Sequence, residues 1–224
     1  MKTLDLRKEY RVLYQPSARA PQLVDVPEFL FLMIDGRFRP GDTPETSVAF
    51  RNACQALYSG AYALKFMSRQ RKAHAVDYRV MPLEAIWWVE DEKFDLEKPG
   101  NWYWRAMIMQ PAHITPEMLD EVRERLLEKK PSPALGALCL ERYQEGLCVQ
   151  MMHIGPYATE PGTVARIRAF VEEHGMEERH DHIRRTGRLV VYDHHEIYLG
   201  DPRRASPEKL KTVLRHPVVR KKNR

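Results

Sequence analysis

The stretch "YDHHEIYLGDPRR", Tyr192 to Arg204, places a carboxylate inside a run of strand-forming residues. Tyrosine, isoleucine and leucine favour a β-strand, where an apolar or neutral residue at position 196 would be less costly than a glutamate. Side chains two positions apart on an extended strand share a face, so His194, Glu196 and Tyr198 are predicted to lie together. The stretch therefore predicts a strand with one polar face.

The opposite face of this strand carries His195, Ile197 and Leu199. If the isoleucine and leucine face the helices of the fold, Glu196 and Tyr198 face a cleft. The alternative is a polar face that meets only solvent, which is common in antiparallel sheets. The residues alone leave both interpretations open.

The preceding sequence predicts elements that repeat in two halves. In the first half, "EFLFLMIDG" (28–36) is a strand, and a helix follows to about Arg69 with Thr43 as N-cap and Pro44 at the first helical position. Two aromatic-rich strands come next, in "DYRVMPLEAIWWVE" (77–90) and "NWYWRAMIMQ" (101–110). An amphipathic helix capped by Thr115 ends this half.

The second half repeats the order. Two strands, "ALCLERYQ" and "LCVQMMHIG", are predicted around an "EG" turn, and a helix follows from about Thr159 to His174. The strands "GRLVVYD" and "HHEIYL" come next, and "SPEKLKTVL" is predicted to close the chain as a short capped helix.

This repetition indicates an internal duplication. Each half has too few strands to bury its own sheet, so the halves are expected to join. The predicted fold class is α+β: duplicated strand-helix-strand-strand modules form a pseudo-symmetric antiparallel sheet, with helices on one face and a central ligand cleft. The predicted domain spans residues 28–218, with pseudo-repeats at about 28–130 and 135–218. Residues 1–27 form a proline-broken lead-in segment and 219–224 a basic tail.

Composition narrows the functional class. The 224-residue chain has a formal net charge of +5, but much of the excess lies in terminal clusters such as "RHPVVRKKNR". Nucleic-acid binding is not expected, because the chain has no helix-turn-helix, zinc-finger or interleaved basic-aromatic pattern. No apolar run is long enough for a membrane span and no signal peptide is visible, so a cytoplasmic protein is expected. The cysteines, Cys54, Cys139 and Cys148, are predicted to be reduced core thiols.

Two segments carry a resemblance to a known family. "EGLCVQMMHIGPYATEP" (145–161) and "HHEIYLGDPRRASPEKLKTVLRHPV" (194–218), together with "LEAIWWV" and "NWYWRAMIMQP", resemble the stand-alone GyrI-like small-molecule-binding proteins. The resemblance spans roughly residues 1 to 218, and its C-terminal motif is the most specific part. It implies a pseudo-symmetric cleft for bulky aromatic or hydrophobic compounds, cationic or electrophilic, with no cofactor and no metal.

The resemblance also implies candidate site residues. Glu196 is the pocket carboxylate, and the pocket walls are Tyr62, Trp88, Trp104 and Tyr157. Tyr198, which shares the predicted face of Glu196, is a further candidate ligand contact, and His153 is either a histidine at the edge of the core or a pocket contributor. The core is the alternative environment for any single aromatic, and it is favoured for Trp87 and Tyr103. Some family members hydrolyse the cyclopropane ring of DNA-alkylating compounds, which suggests Glu196 as general base, with its pKa raised by an apolar setting, and Tyr157 or Tyr198 as a hydrogen-bond donor.

Other functions remain possible at this stage. A binding-only protein would sequester such compounds without turnover, and a gyrase-interacting inhibitor-like module would use the basic tail. A metal site is the rival interpretation of His180, His182, Asp193, His194 and His195, but their spacing does not match the helical H-E-x-x-H pattern. The oligomeric state cannot be read from these patterns.

Overall fold

The computed structural model describes residues 3–90, 94–96, 101–185 and 188–221. The strands are β1 (Gln22–Arg37), β2 (Leu83–Trp88), β3 (Tyr103–Gln110), β4 (Cys139–Ile154), β5 (Met176–Glu178), β6 (Asp181–Arg185), β7 (Arg188–Tyr192), β8 (His194–Tyr198) and β9 (Lys211–Arg220). The helices are α1 (Leu6–Glu9), α2 (Arg11–Tyr14), α3 (Val48–Gln70), α4 (Pro116–Lys129), α5 (Pro133–Gly136) and α6 (Glu160–Glu173). Short 3₁₀ turns lie at Tyr157–Thr159 and Pro207–Lys209.

The main sheet is antiparallel and curls into a barrel-like arrangement. Its strands pair in the order β4-β1-β3-β2-β8-β9-β5, and β4 also pairs with β9, which brings the two ends of the row together. The order is pseudo-symmetric, because β1, β3 and β2 of the first half correspond to β4, β9 and β8 of the second. The α+β fold class with duplicated halves and an antiparallel sheet is confirmed.

Helices α3 and α6 cover the outer face of this sheet. Ser47 caps α3 by accepting a hydrogen bond from the Phe50 amide, and the buried side of α3 packs on β1 and β3. Val164, Ile167 and Val171 give α6 an apolar stripe at helical spacing, which packs on β4 and β9. Strands β2 and β8 meet between the strands that the helices cover. The Glu196-bearing face of β2 and β8 between α3 and α6 is called the central seam below.

Several predicted elements differ from the structure. Helix α3 begins at Val48 rather than at Pro44, because Thr43 and Thr46 bond to each other in a separate turn. Strand β4 is continuous where an "EG" turn was expected, and Gly146 takes a positive φ within it, opposite Val26. The predicted C-terminal helix is only a 3₁₀ turn followed by β9, because β4 and β8 offer hydrogen-bonding partners on both sides.

The N-terminal segment has more structure than the expected lead-in loop. It contains α1 and α2, and β1 begins at Gln22, before the expected start at Glu28. Leu13 and Tyr14 are buried in the main core. Backbone oxygens of this segment accept bonds from the sheet, with Arg215 Nη2 2.9 Å from the Leu13 oxygen and Gln150 Nε2 2.8 Å from the Val12 oxygen. The predicted basic tail lies partly outside the described residues, and β9 extends into its first two positions.

The inner face of the sheet holds a charge-balanced cluster beside α2. His195 Nδ1 lies 3.0 Å from the Glu145 carboxylate, and its Nε2 lies 3.1 Å from that of Glu84. Arg215 donates to Glu145 at 3.1 Å, and the Tyr14 hydroxyl donates to Glu84 at 2.7 Å. Burial opposes a charged imidazole, but the hydrogen bonds and charges of the two carboxylates raise the pKa of His195 to about 9. Two anions and two cations therefore neutralise one another in the interior.

Candidate functional site

Glu196 lies on β8 in the central seam and is 6% exposed. The Tyr198 hydroxyl donates to its Oε2 at 2.6 Å, and His194 Nε2 lies 2.9 Å from its Oε1. The predicted common face of these three side chains is therefore what the structure contains. On the neighbouring strands, Glu196 is paired with Ala85 of β2 and with Leu214 of β9. At the junction of the two halves, the carboxylate of Glu196 therefore lies beside the methyl group of Ala85.

The helices cover the face of β8 that carries Glu196. The expectation that they cover the face with Ile197 and Leu199 is therefore wrong. Leu214, the neighbour of Glu196, packs with Val164 and Ile167 of α6. On the other side, Trp87 and Trp104 share the Glu196 face and both contact Phe50 of α3, with ring centroids 5.1 and 5.2 Å apart. Glu196 therefore lies between two helices, because Ile197 is needed on the buried inner face of the closed sheet.

Tyr157 approaches the carboxylate from the 3₁₀ turn that precedes α6. Its ring meets that of Tyr198 edge to face, with centroids 5.9 Å apart, and the residue is half-buried. Burial, followed by the charge of Glu196, raises the pKa of the Tyr157 hydroxyl, so it stays a hydrogen-bond donor at neutral pH. The structure thus brings together Glu196, Tyr157 and Tyr198.

His153 holds the Tyr157 turn in place. Its Nδ1 lies 2.9 Å from Thr163 Oγ1, and its Nε2 lies 3.1 Å from the Pro156 carbonyl oxygen. Both ring nitrogens are therefore engaged within the protein, on either side of the turn. The prediction that His153 contacts a ligand is untested, and these contacts favour a positioning role.

Glu160, the first residue of α6, is a second buried carboxyl group near Glu196. It is 2% exposed, and its Oε1 has no hydrogen-bond partner among the described residues. Burial and then the charge of Glu196 raise the pKa of Glu160 well above its usual range. The site therefore contains a carboxyl group, that of Glu160, which stays protonated at neutral pH beside the carboxyl group of Glu196. No local pattern in the sequence indicates a site role for Glu160, because a glutamate in the first turn of a helix is favoured by the helix dipole alone.

The Tyr198 end of the central seam is edged by tyrosines of α3. Tyr62 is 48% exposed and Tyr58 is 38% exposed. Burial raises the pKa of Tyr58, and a hydrogen bond to the backbone of Leu83 opposes this increase. Because Leu83 pairs with Tyr198, Tyr58 lies at this end of the seam. The predicted pocket residue Tyr62 is thus available at the rim, one helical turn beyond Tyr58.

The two tryptophans predicted as pocket walls lie in different environments. Trp104 is on the Glu196 face but only 2% exposed, because Phe50 covers it. Trp88 pairs with Tyr103 and stacks on it at 5.7 Å, on the opposite face of the sheet. The structure does not bring Trp88 to Glu196, since a one-residue step along a strand reverses the face.

Three histidines of the rival metal interpretation, His180, His194 and His195, contact carboxylates, and they do not converge on one point. His195 points to the inner cluster, whereas His194 points to Glu196. Within residues 3–90, 94–96, 101–185 and 188–221, no group of three or more His, Cys, Asp or Glu side chains is arranged to hold a metal ion. No helix in this described part of the chain is long and apolar enough to cross a membrane.

Comparison with known proteins agrees with the fold. The family model of the GyrI-like small molecule binding domain matches residues 19–219. An uncharacterized conserved protein from Listeria innocua has a similar structure, with 40% identity, a TM-score of 0.81, and coverage of 97% of this chain and 100% of that one. Two structures described as hydrolases from Listeria innocua are 37% and 41% identical, with TM-scores of 0.78 and 0.79 and the same coverage. No curated protein matches the chain.

Proposed function

Because this chain belongs to the family of GyrI-like small-molecule-binding domains, we propose that it binds a bulky aromatic or hydrophobic compound beside Glu196. The observation that carries the proposal is the buried carboxylate between α3 and α6, fixed by Tyr198 and His194. A buried anion attracts a cation, or an electrophile that becomes positive during reaction. Tyr157 and Tyr62 supply aromatic faces, against which a planar ligand can stack.

We further propose that the protein hydrolyses electrophilic compounds that contain a strained cyclopropane ring conjugated to a carbonyl group. The description of two similar proteins as hydrolases supports this reaction class. Water attacks a methylene carbon of the ring, a ring carbon–carbon bond breaks, and its electron pair moves to the conjugated carbonyl oxygen. Glu196 takes a proton from the attacking water, and the carbonyl oxygen gains a proton from a donor in the seam.

The described residues offer two donors for that oxygen. Tyr157 keeps its hydroxyl proton at neutral pH, and Glu160 is held as a neutral acid with one unpartnered oxygen. Each can hydrogen-bond an oxygen that becomes negative as the ring opens. Tyr198 is better suited to orienting the base, because its hydroxyl already donates to Glu196 at 2.6 Å.

The test is incubation with a DNA-alkylating cyclopropane compound, followed by chromatography and mass spectrometry. The wild-type protein is expected to form the water adduct with many turnovers per protein molecule. Glu196→Gln should lower the rate roughly 100-fold, because removal of a general base commonly costs 10²- to 10⁴-fold. Glu208→Gln, in an exposed glutamate of the same sequence motif, is the matched control and should retain the wild-type rate.

Tryptophan fluorescence measured in parallel separates the second candidate function. Trp87 lies on the face of β2 next to Glu196, so ligand binding in the seam is expected to change its emission. Quenching without any water adduct would assign a sequestering protein that binds such compounds without turnover. Full turnover by Glu196→Gln would show that Glu196 is not the base. If neither quenching nor product were seen, the proposed ligand class would be wrong.

A further inference from the structure

Glu196 is the end of a continuous chain of hydrogen-bonded titratable groups. Beyond Glu196, His194 Nδ1 lies 2.8 Å from His216 Nε2, and His216 Nδ1 lies 2.5 Å from Glu178 Oε1. The other oxygen of Glu178 lies 3.2 Å from His180 Nε2. His194 and His216 are both 3% exposed, so their ring nitrogens depend on these contacts for partners. This series of hydrogen bonds crosses from β8 to β9 and ends at Glu178 on β5 and at His180, which follows β5.

The His180 end of this hydrogen-bonded series reaches a cavity of about 520 Å³. His180, His194 and His216 line it, and the side chain of His180 is 21% exposed. Phe94, which also lines the cavity, stacks on the His194 ring with centroids 5.3 Å apart. The carboxylate thus has a ligand-facing side with tyrosines and a separate side with histidines.

The proton count of the chain restricts the states it can adopt. A neutral imidazole donates from one nitrogen and accepts at the other. If Glu196 is ionised, His194 donates to it from Nε2 and accepts at Nδ1 from His216. His216 then donates from both nitrogens, to His194 and to Glu178, and is an imidazolium. If Glu196 is a neutral acid that donates to His194, both histidines are neutral and each donates from Nδ1. The two states have the same total charge and differ only in the position of protons within the hydrogen bonds.

We infer that His194 and His216 form a proton relay, which carries the proton accepted by Glu196 away from the ligand-binding side. The relay starts with one proton fewer than either state above: Glu196 is ionised, and both histidines are neutral with their protons on Nδ1. Glu196 takes the proton from water and passes it to His194 Nε2, the Nδ1 proton of His194 passes to His216 Nε2, and the Nδ1 proton of His216 passes through Glu178 to solvent. Each histidine is left with its proton on Nε2, and proton exchange with solvent returns it to Nδ1 before the next turnover. No other atoms or electrons move, and solvent is the final proton acceptor. The catalytic use of the relay rests on the proposed hydrolysis, whereas the shared proton does not.

The surroundings of His216 favour rapid loss of the relayed proton. Burial lowers the pKa of His216, although its hydrogen bond to Glu178 opposes this effect, so the imidazolium gives up its proton readily. Arg168 of α6 lies 3.3 Å from Glu178. Burial also opposes a charge on His180, but hydrogen bonds to Asp193 and Glu178 raise its pKa to about 9. The remaining charged residues that line the cavity are Asp95 and Glu172.

The shared proton is tested in the free protein by NMR with ¹⁵N-labelled histidine. Glu196→Gln is expected to change the ¹⁵N shifts and tautomer population of His216, although His194 separates the two residues. Glu172→Gln is the matched control, because it removes a carboxylate of the cavity that His216 lines and should leave the His216 shifts unchanged. An unchanged His216 in Glu196→Gln would overturn the relay, whatever the result of the turnover assay.

The catalytic use of the relay is tested with the cyclopropane compound. His216→Gln should lower kcat roughly 10- to 100-fold with little change in KM, because proton removal and not ligand binding is affected. Added imidazole, which the cavity can admit, should restore part of the rate. A parallel loss of kcat in His174→Gln, an exposed histidine at the end of α6, would contradict the assignment. If the wild-type protein forms no water adduct, the hydrolysis proposal fails and the NMR result alone decides the relay.

Discussion

The inner cluster around His195 predicts a specific loss of stability at alkaline pH. The imidazole is 1% exposed and lies between the carboxylates of Glu145 and Glu84. An unfolded histidine has a pKa near 6.5, against about 9 in the folded protein. Each pKa unit corresponds to about 1.4 kcal/mol, so charged His195 stabilises the fold by roughly 3 kcal/mol.

The sign follows from proton binding. Between pH 6.5 and about 9, the folded protein holds a proton on His195 that the unfolded chain has lost. The contribution is therefore complete below pH 6.5 and disappears as the pH rises through about 9. Glu160 and His180 also have raised pKa values and add to the decline in the same direction. The pH dependence of the wild-type unfolding free energy therefore contains contributions from all three groups. The contribution of His195 is obtained from the difference in unfolding free energy between the wild type and a His195 variant.

The assay is urea unfolding of wild type and His195→Gln at several pH values from 6 to 9.5. At pH 6 the variant is expected to be less stable by roughly 3 kcal/mol, since Glu84 and Glu145 lose their shared cation. The difference should shrink to near zero by pH 9.5, because the wild-type imidazole is then largely neutral. A difference that stays constant across this range would refute the charged state of His195.

Two further predictions concern the seam and its packing. Tyr198→Phe removes the 2.6 Å hydrogen bond to Glu196, and a bond to a charged group contributes about 1.5–3 kcal/mol, so turnover is expected to fall roughly 10-fold with the fold intact by circular dichroism. Gly36→Ala should destabilise the protein by about 1–3 kcal/mol in urea unfolding, because the new Cβ would overlap the ring of Trp104. Gly162→Ala, where a Cβ meets nothing within 4 Å, is its control and should not be destabilising. Equal stability of the two alanine variants would contradict this packing.

The helices and strands are predicted most accurately from the sequence where the local periodicity of apolar residues matches their burial in the fold. Helices α4 and α6 were predicted to within about two residues, because their apolar spacing and their first-turn prolines specify the same ends. The C-terminal "SPEKLKTVL" was misassigned because its apolar residues fit a helix or a strand equally well. Its strand conformation depends on β4 and β8, which are distant in sequence.

The amino-acid sequence by itself determined the duplicated α+β architecture and the shared face of His194, Glu196 and Tyr198, because side-chain alternation along a strand is a local property. Only the tertiary structure decided which way that face points. Closing the sheet requires the Ile197 side in the interior, so Glu196 is left between the two helices. The same long-range pairing brings Glu160 and His216 to Glu196 and takes Trp88 away from it. Such proximities depend on strand register and helix packing, which no local pattern specifies.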